Sequence, residues 1–577
     1  MPASPSIEIR QRDVPDHLSW SDSLHPVLQR IYAARNIRSQ QDIELLLSRL
    51  HAPQSLLDID QAADLLADCI TQQRHILIIG DFDADGATST ALAMRVLTQM
   101  GTKRLSYLVP NRFDFGYGLT PGIVNEALKM SPELIVTVDN GISSIEGVRL
   151  TRQHGVKVLV TDHHLQGSEL PAADAIVNPN RQGDEFPSKA LAGVGVIFYV
   201  LIALRQKLRD MDWFTTQQLP EPNLADYLDI VALGTVADVV PLDKNNRILV
   251  AEGLKRIRAG KCVPGITALL QVAGRNPAKI TASDLGFVVG PRLNAAGRLD
   301  DMSVGIECLL ADAGQASTFA MQLDHLNRQR RSIEADMQQS AEALLDDLQF
   351  DAQEIFGLAL YQHSWHQGVI GILASRIKEK IHRPVIAFAS GDSGEIKGSA
   401  RSIPGLHIRD VLEHINTRQP GLIKKFGGHA MAAGLSIDEA DFGVFQQLFN
   451  STVAETIDAE YLQNIILTDG ELAPQDLNLQ LADLLEQAGP WGQAFPEPLF
   501  SGSFRVIQQR ILKEKHYKLT LTPNNDDSVY VDAIAFNQVD DEMPQLPEQV
   551  DLVYRLSVNE FRGNCNLQLM VEKILWQ

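Results

Sequence analysis

Ile76-Leu77-Ile78-Ile79-Gly80-Asp81-Phe82-Asp83-Ala84-Asp85-Gly86 is the stretch on which the fold turns. Its first half is a short, β-branched apolar run closed by glycine, which reads as a buried strand. Directly behind it stand three carboxylates at alternate positions. Upstream, Leu65 to Ile70 reads as helical; downstream, Ala87 to Met100 repeats apolar residues at helical spacing and stops at Gly101. Leu105 to Val109 reads as the next strand, then Leu134 to Val138 as strand, Ser144 to His154 as helix and Val156 to Val160 as strand. Strands alternating with helices of this length predict a parallel sheet with both faces covered, whose ligand sites lie beyond the carboxyl ends of the strands.

Further acids fall at such ends. Val138-Asp139-Asn140-Gly141 and Thr161-Asp162-His163-His164 each follow a predicted strand, and Val236-Ala237-Asp238-Val239-Val240-Pro241 comes later. Together with Asp81, Asp83 and Asp85 these residues can supply ligands for two adjacent divalent cations. Two cations roughly 3.5 to 4 Å apart can activate water and stabilise a leaving oxygen, so metal-assisted hydrolysis is the chemistry this pattern suits. Taken singly, acids at strand ends are as often helix caps or solvated loop residues; topology and chemistry agreeing at several ends weigh against that. Mixed oxygen and imidazole ligation suits manganese and oxygen ligation magnesium, so Mn²⁺ or Mg²⁺ is expected.

The 577 residues exceed what one hydrophobic core serves and predict roughly three to four domains. No apolar run approaches the roughly 20 residues of a membrane span, and Met1 to Val14 lacks the apolar segment of a secretory signal. Cys69, Cys262, Cys308 and Cys565 are widely separated, which suggests neither a zinc site nor a disulfide framework. A cytoplasmic protein without membrane contact is expected. The net charge of -21 argues against a generic nucleic-acid coat, yet bound cations neutralise site aspartates and local basic stretches can still guide a phosphate backbone.

The remaining chain divides by pattern. An N-terminal extension (1–60) precedes the metal-bearing α/β domain (61–245), and a mainly helical connector (246–350) follows it. A second, smaller α/β domain (351–455) has strand candidates Phe356 to Tyr361 and Val385 to Phe388 around the helix Val369 to Lys380, and ends in a glycine-rich stretch. The last part (456–577) shows alternating strands, among them Gly502 to Val506, Leu519 to Leu521, Val529 to Ala535 and Val550 to Val558, and predicts a small OB-like β-barrel. Phe504, Arg505, Arg510, Lys513, Lys515, Tyr517 and Lys518 mix cations with aromatics there. They make either a face for single-stranded nucleic acid or a solvated face over core aromatics.

Asp-x-Asp-x-Asp-Gly at 81–86, Asp162-His163-His164 and Gly427-Gly428-His429-Ala430-Met431-Ala432-Ala433-Gly434 together resemble the DHH phosphoesterase superfamily. The order of these motifs with Val236 to Leu242, Pro291-Arg292-Leu293-Asn294-Ala295-Ala296-Gly297-Arg298 and the terminal β segment resembles the bacterial RecJ exonucleases over nearly the whole length. The resemblance implies a parallel-sheet DHH domain, a DHHA1-like second domain and a nucleic-acid-binding OB domain. It implies Asp139 as the bridge between two metals, Asp83 on one, and Asp85, His163 and Asp238 on the other. Asp81 departs from relatives that carry a histidine a few residues earlier; it is a ligand or a support. His164 is expected to face substrate phosphate and Asp162 to orient histidine. Ser399 and Arg401 would hold a 5′-terminal phosphate beside His429, with Arg112, Arg292 and Arg298 as further phosphate contacts.

The implied activity is 5′ to 3′ exonucleolytic digestion of single-stranded DNA to 5′-mononucleotides in recombinational and mismatch repair. Single-stranded DNA-binding protein and a helicase are the implied partners. Two alternatives stand beside it: a small-substrate DHH phosphoesterase acting on oligoribonucleotides, cyclic dinucleotides or pyrophosphate, and a DNA-binding accessory protein with a dead site.

Overall fold

The structure, a computed structural model, describes residues 7–15, 20, 24–111, 116–347, 354–391, 394–524, 526, 528–539, 545–561 and 563–575. The expectation for Arg112 lies outside the described residues. The chain forms two compact units: one holds residues 12–326 and 468–577, the other residues 1–11 and 327–467.

In the first unit, strands β2 (Ile76–Gly80), β3 (Leu105–Leu108), β4 (Leu134–Val138), β5 (Lys157–Thr161) and β6 (Ala175–Val177) form a parallel sheet in the order β3-β2-β4-β5-β6. All five residues of β2 are buried because both faces are covered. Ile76 and Ile78 pack on one side with the helices Ile59–Thr71, Ala84–Gln99 and Gly193–Asp210; Leu77 and Ile79 pack on the other with Pro121–Lys129 and Ile145–Gln153. The two-residue alternation of a strand thus feeds two apolar clusters. In register, Gly80 pairs with Val138 and Val138 with Thr161, so Asp81, Asp139 and Asp162 leave the sheet at one level.

Residues 244–326 are helical and share this core: Leu249, Leu269, Leu293, Ile306 and Leu323 belong to the same buried cluster as Ile76. The closed barrel of β13 (Phe500–Leu512), β14 (His516–Pro523), β15 (Val531–Ala535), β16 (Gln549–Phe561) and β17 (Asn564–Leu575), in the order β13-β14-β15-β17-β16, belongs to this unit as well. The sequence reading lacks its last strand. Phe504 and Tyr517 lie in the barrel interior, 2% and 0% exposed, which settles both as core aromatics. Lys518 pairs with Asp532 at 3.1 Å on the outer face.

The second unit has a mixed five-stranded sheet, β10-β11-β9-β8-β7, built from β7 (Leu358–Tyr361), β8 (Val385–Ser390), β9 (Glu395–Arg401), β10 (Lys425–Gly428) and β11 (Ala432–Asp438). Only β7 and β8 are parallel; the glycine-rich segments are antiparallel strands, a feature the sequence reading lacks. Strand β1 (Ile7–Gln11) pairs with β12 (Asn464–Thr468) in a separate ribbon. Among the described residues no helix is long and apolar enough to cross a membrane.

Candidate functional site

Local backbone chemistry explains why the acids converge. Asp83 is the N-cap of helix Ala84–Gln99, its Oδ1 accepting from the N–H groups of Asp85 (2.9 Å) and Gly86 (3.1 Å). Asp85, buried in the first turn, accepts from the N–H groups of Gly193 (2.6 Å) and Val194 (2.9 Å) at the start of helix Gly193–Asp210. Asp139 adopts a left-handed backbone (φ 63°), which Asp tolerates better than most residues, and its N–H donates to the Thr161 carbonyl at 3.0 Å. Asp238 ends helix Leu228–Ala237.

Three overlapping groups result: Asp81, Asp83 and Asp139; Asp85, His163 and Asp238; Asp139, His163 and His164. Within each, one ligand atom per residue lies within 4.8 Å of the others. His163 Nε2 is 3.1 Å from Asp139 Oδ1 and 3.5 Å from Asp238 Oδ2, so Asp139 touches both of the first two groups. Burial and then the charges of Asp85 and Asp83 push Asp139 well above the usual carboxylate range. Asp238 rises for the same reasons, and burial with the Asp83 charge lifts Asp85 to about 7 against the opposing N–H bonds of Val194 and Gly193. So many buried carboxyls in mutual repulsion fit divalent cations, which remove that repulsion.

Asp162 has a different setting. Its carboxylate accepts from the N–H groups of Ile142 (2.9 Å), His163 (2.8 Å) and His164 (3.1 Å) and bonds His164 Nδ1 at 2.8 Å. Burial opposes its charge, but the His164 bond, the charges of His164 and His163 and the Ile142 N–H together outweigh it and hold Asp162 below the usual carboxylate range. Burial likewise opposes charge on His164, and Asp162, then Asp81 and Asp83, overcome it and raise the imidazole to about 9. These acids bias His164 toward its protonated form.

Several supporting residues carry no sequence motif that would have disclosed them. Tyr117 Oη lies 3.2 Å from the Asp139 carbonyl oxygen and 3.1 Å from His164 Nδ1, with its ring edge-on to Phe82. Asn178 and Asn180 donate to the carbonyls of His164 (2.9 Å) and His163 (2.6 Å). A Cβ on Gly193 would stand 2.6 Å from Asp139 Cβ and 2.7 Å from its Oδ1, so only glycine lets that helix approach so closely. In the 291–298 segment, Asn294 Oδ1 accepts from the Ala84 N–H at 2.8 Å, and a Cβ on Gly297 would lie 1.8 Å from the Phe82 carbonyl. This segment braces the loop of the three alternate aspartates. Arg292 pairs with Asp324 (2.9 Å) and donates to the Val288 carbonyl (2.6 Å). Arg298, from the same segment, lies in the last turn of helix Gly290–Leu299.

In the other unit, Ser399 and Arg401 occupy the same face of β9, two residues apart, with Arg401 Nη1 donating to Ser399 Oγ at 3.0 Å. A Cβ on Gly371, in the first turn of helix Ile370–Ile381, would meet Arg401 Nη2 at 2.7 Å and Ser399 Oγ at 3.0 Å. Across the sheet, Ser399 pairs with Gly434 and Gly434 with Gly427, leaving an open glycine floor beside the serine. His429 lies exposed in the turn between β10 and β11. A guanidinium, a hydroxyl and a helix N-terminus on one face suit a phosphate.

The parallel sheet with its converging acids and histidines defines the class: a hydrolytic, divalent-metal centre of DHH type. Residues 75–235 match the DHH family N-terminal domain, 354–455 the DHHA1 domain and 468–573 the RecJ OB domain. The chain is 52% identical to the single-stranded-DNA-specific exonuclease RecJ of Escherichia coli, covering 98% of this chain and 99% of that one. With the protein of that description from Dickeya dadantii it shares 55%, covering 96% of each. Crystal structures of RecJ from Thermus thermophilus with Mn²⁺ (TM-score 0.80, 29% identity, 99% of this chain and 80% of that one) and with Mg²⁺ (0.75, 27%, 99% and 79%) share the fold. The chain belongs to the RecJ family.

Proposed function

We propose that the chain is a 5′ to 3′ exonuclease specific for single-stranded DNA, which releases 5′-mononucleotides by hydrolysing the terminal phosphodiester. The observation that carries this reading is the sharing of Asp139 and His163 among three ligand groups at the carboxyl ends of a parallel sheet, in a RecJ-family chain. When bound, two divalent cations, Mn²⁺ or Mg²⁺, supply an acidified water and charge stabilisation of the leaving oxygen. Asp81, Asp83 and Asp139 would hold one, and Asp85, His163 and Asp238 the other, with Asp139 between them. Asp162 fixes the ring and charge of His164, which faces the phosphate undergoing attack; Tyr117 limits how that ring turns. Ser399, Arg401 and His429 take the 5′-terminal phosphate, and that choice of terminus sets direction. The OB barrel gives longer strands a track.

Repair of recombination intermediates and mismatches in the cytoplasm is the setting, with single-stranded DNA-binding protein and a helicase supplying accessible ends. Digestion of end-labelled single strands, duplex, short RNA and pyrophosphate with Mn²⁺ tests this. Mononucleotides are expected from the 5′ end of single strands first. Preference for short RNA or pyrophosphate would overturn the reading in favour of a small-substrate phosphoesterase.

A further inference from the structure

Asp238 is followed by two anomalies. Val239 has a left-handed backbone (φ 60°) although it is β-branched, a conformation that glycine or asparagine would adopt with less steric penalty. Its side chain is 64% exposed, so core packing does not compensate the strain. Strain of this kind persists where surrounding structure imposes it, often at functional sites. Against this helix end packs a single π-helical stretch, Leu285–Val289, whose Gly286 would bring a Cβ to 3.2 Å from Val236 Cγ1. Such π turns often mark functional positions. At its middle stands Phe287, 83% exposed, between the buried Leu285 and Val289. Val236, Val239, Val240, Gly286 and Phe287 line one cavity of about 550 Å³, with Trp491 in the same lining.

Arg12, Arg258 and Arg555 also reach this cavity, beside Glu486 and Glu497. Arg555 pairs with Glu497 at 3.3 Å and with Glu572 at 3.1 Å, and Arg258 donates to the Ile280 carbonyl. Arg12 brings a buried Nε with no hydrogen-bond partner among the described residues.

We infer that Val239 and Phe287 form a stacking lip for one unpaired nucleobase of the substrate strand, with the cavity behind them receiving it. Resting on the exonuclease reading, this inference adds a specificity element to it. The occupant follows from position and chemistry: Val239 adjoins Asp238, so a strand passing that carboxylate brings a base to the lip. An aromatic face accepts any base, and the Arg12 guanidinium in the lining adds positive charge for a flanking phosphate. A base already paired and stacked in duplex has no free face to offer, so the lip selects single strands.

The test uses the full chain with Mn²⁺ and a set of 5′-phosphorylated single strands, each carrying one abasic position. With wild type, KM should rise about tenfold when the abasic site reaches one particular position, the scale of losing one base stack. Phe287→Ala should raise KM about tenfold on the intact strand, with kcat kept, and show no further rise at that position. Phe287→Tyr should restore wild-type KM. Val239→Gly should raise KM without lowering the melting temperature. Equal KM values for Phe287→Ala and wild type on every strand would overturn the lip and leave the exonuclease intact, as would losses that simply add at every position. A wild-type chain that fails to digest the intact strand would overturn the exonuclease reading itself.

Discussion

At the acidic centre, carboxylates are set by backbone: Asp83 caps one helix, Asp85 receives the first amides of another, and Asp139 and Asp162 continue parallel strands. At the Ser399 face, position comes from alternation along an antiparallel strand, and the space beside it from glycines whose missing side chains leave the floor open. One region concentrates buried negative charge and is complete only with cations. The other brings a guanidinium and a hydroxyl together on one strand face, an arrangement that suits an anion. Losing a group from the first should therefore remove chemistry, and losing one from the second should weaken grip.

The largest expected effect tests the first half of that contrast. Asp139→Asn keeps the shape of the side chain but removes the charge that two ligand groups share. Its single-turnover rate on end-labelled strand with Mn²⁺ should fall at least about a thousandfold, the scale of losing a preorganised charge-stabilising group. A fall of less than tenfold would show that the shared acid is not the centre of the site. Next, Arg401→Ala should raise KM roughly 10- to 100-fold with kcat nearly kept, the scale of a charge-assisted hydrogen bond. Removing the 5′ phosphate from the strand should weaken wild type and leave Arg401→Ala unaffected; equal sensitivity in both would erase the distinction.

Gly193→Ala sharpens the comparison because it alters no candidate ligand. The added methyl must displace Asp139, so Mn²⁺ affinity measured by calorimetry should drop about tenfold, as when a ligand's support is lost. Unchanged affinity would mean that Asp139 moves freely. Ser399→Ala, losing a single hydroxyl while the Arg401 charge stays, should raise KM only about threefold.

The smallest effect is on stability and has the opposite sign to the first. Asp85, Asp139 and Asp238 have folded-state pKa values raised by burial and mutual charge, with Asp85 at about 7. A carboxyl raised above its unfolded value favours the folded chain while protonated. That contribution is full below the ordinary carboxylate range and is lost as pH rises through the raised values. In chelator, wild type should melt at lower temperature at pH 8 than at pH 5.5, and Mn²⁺ should restore more at pH 8. Asp139→Asn in chelator at pH 8 should melt a few degrees above wild type. Should it melt below, the acids are not held in repulsion.

The same contrast explains what was legible in the sequence. Asp81, Asp83, Asp85, Asp139 and His163 could be singled out because each lies within a few residues of a strand end that apolar periodicity reveals; Asp238 stood out through its motif alone, since the helix it ends was not read from the sequence. Tyr117, Asn180 and Gly193 act on those residues from afar in sequence, and nothing local distinguishes them from ordinary tyrosine, asparagine or glycine; Asn294 stands in a quoted motif, but its bond to the Ala84 N–H could not be read there. In the second unit, glycine obscured β9, β10 and β11, since its low strand preference imitates a loop while pairing register fixes the strand. Phe504 and Tyr517 show the converse: alternation placed them on a strand but could not say which face closes inward, and the barrel turned both into its core.

Asn294 and Gly297 have a practical consequence. They grip Ala84 and Phe82 from more than two hundred residues downstream, across the sequence limit one would draw after the last acid at about residue 245. A fragment cut there would keep every candidate ligand and lose the clamp on the loop that presents three of them. The centre is thus not a portable module, and transplanting it means carrying the helical segment as well.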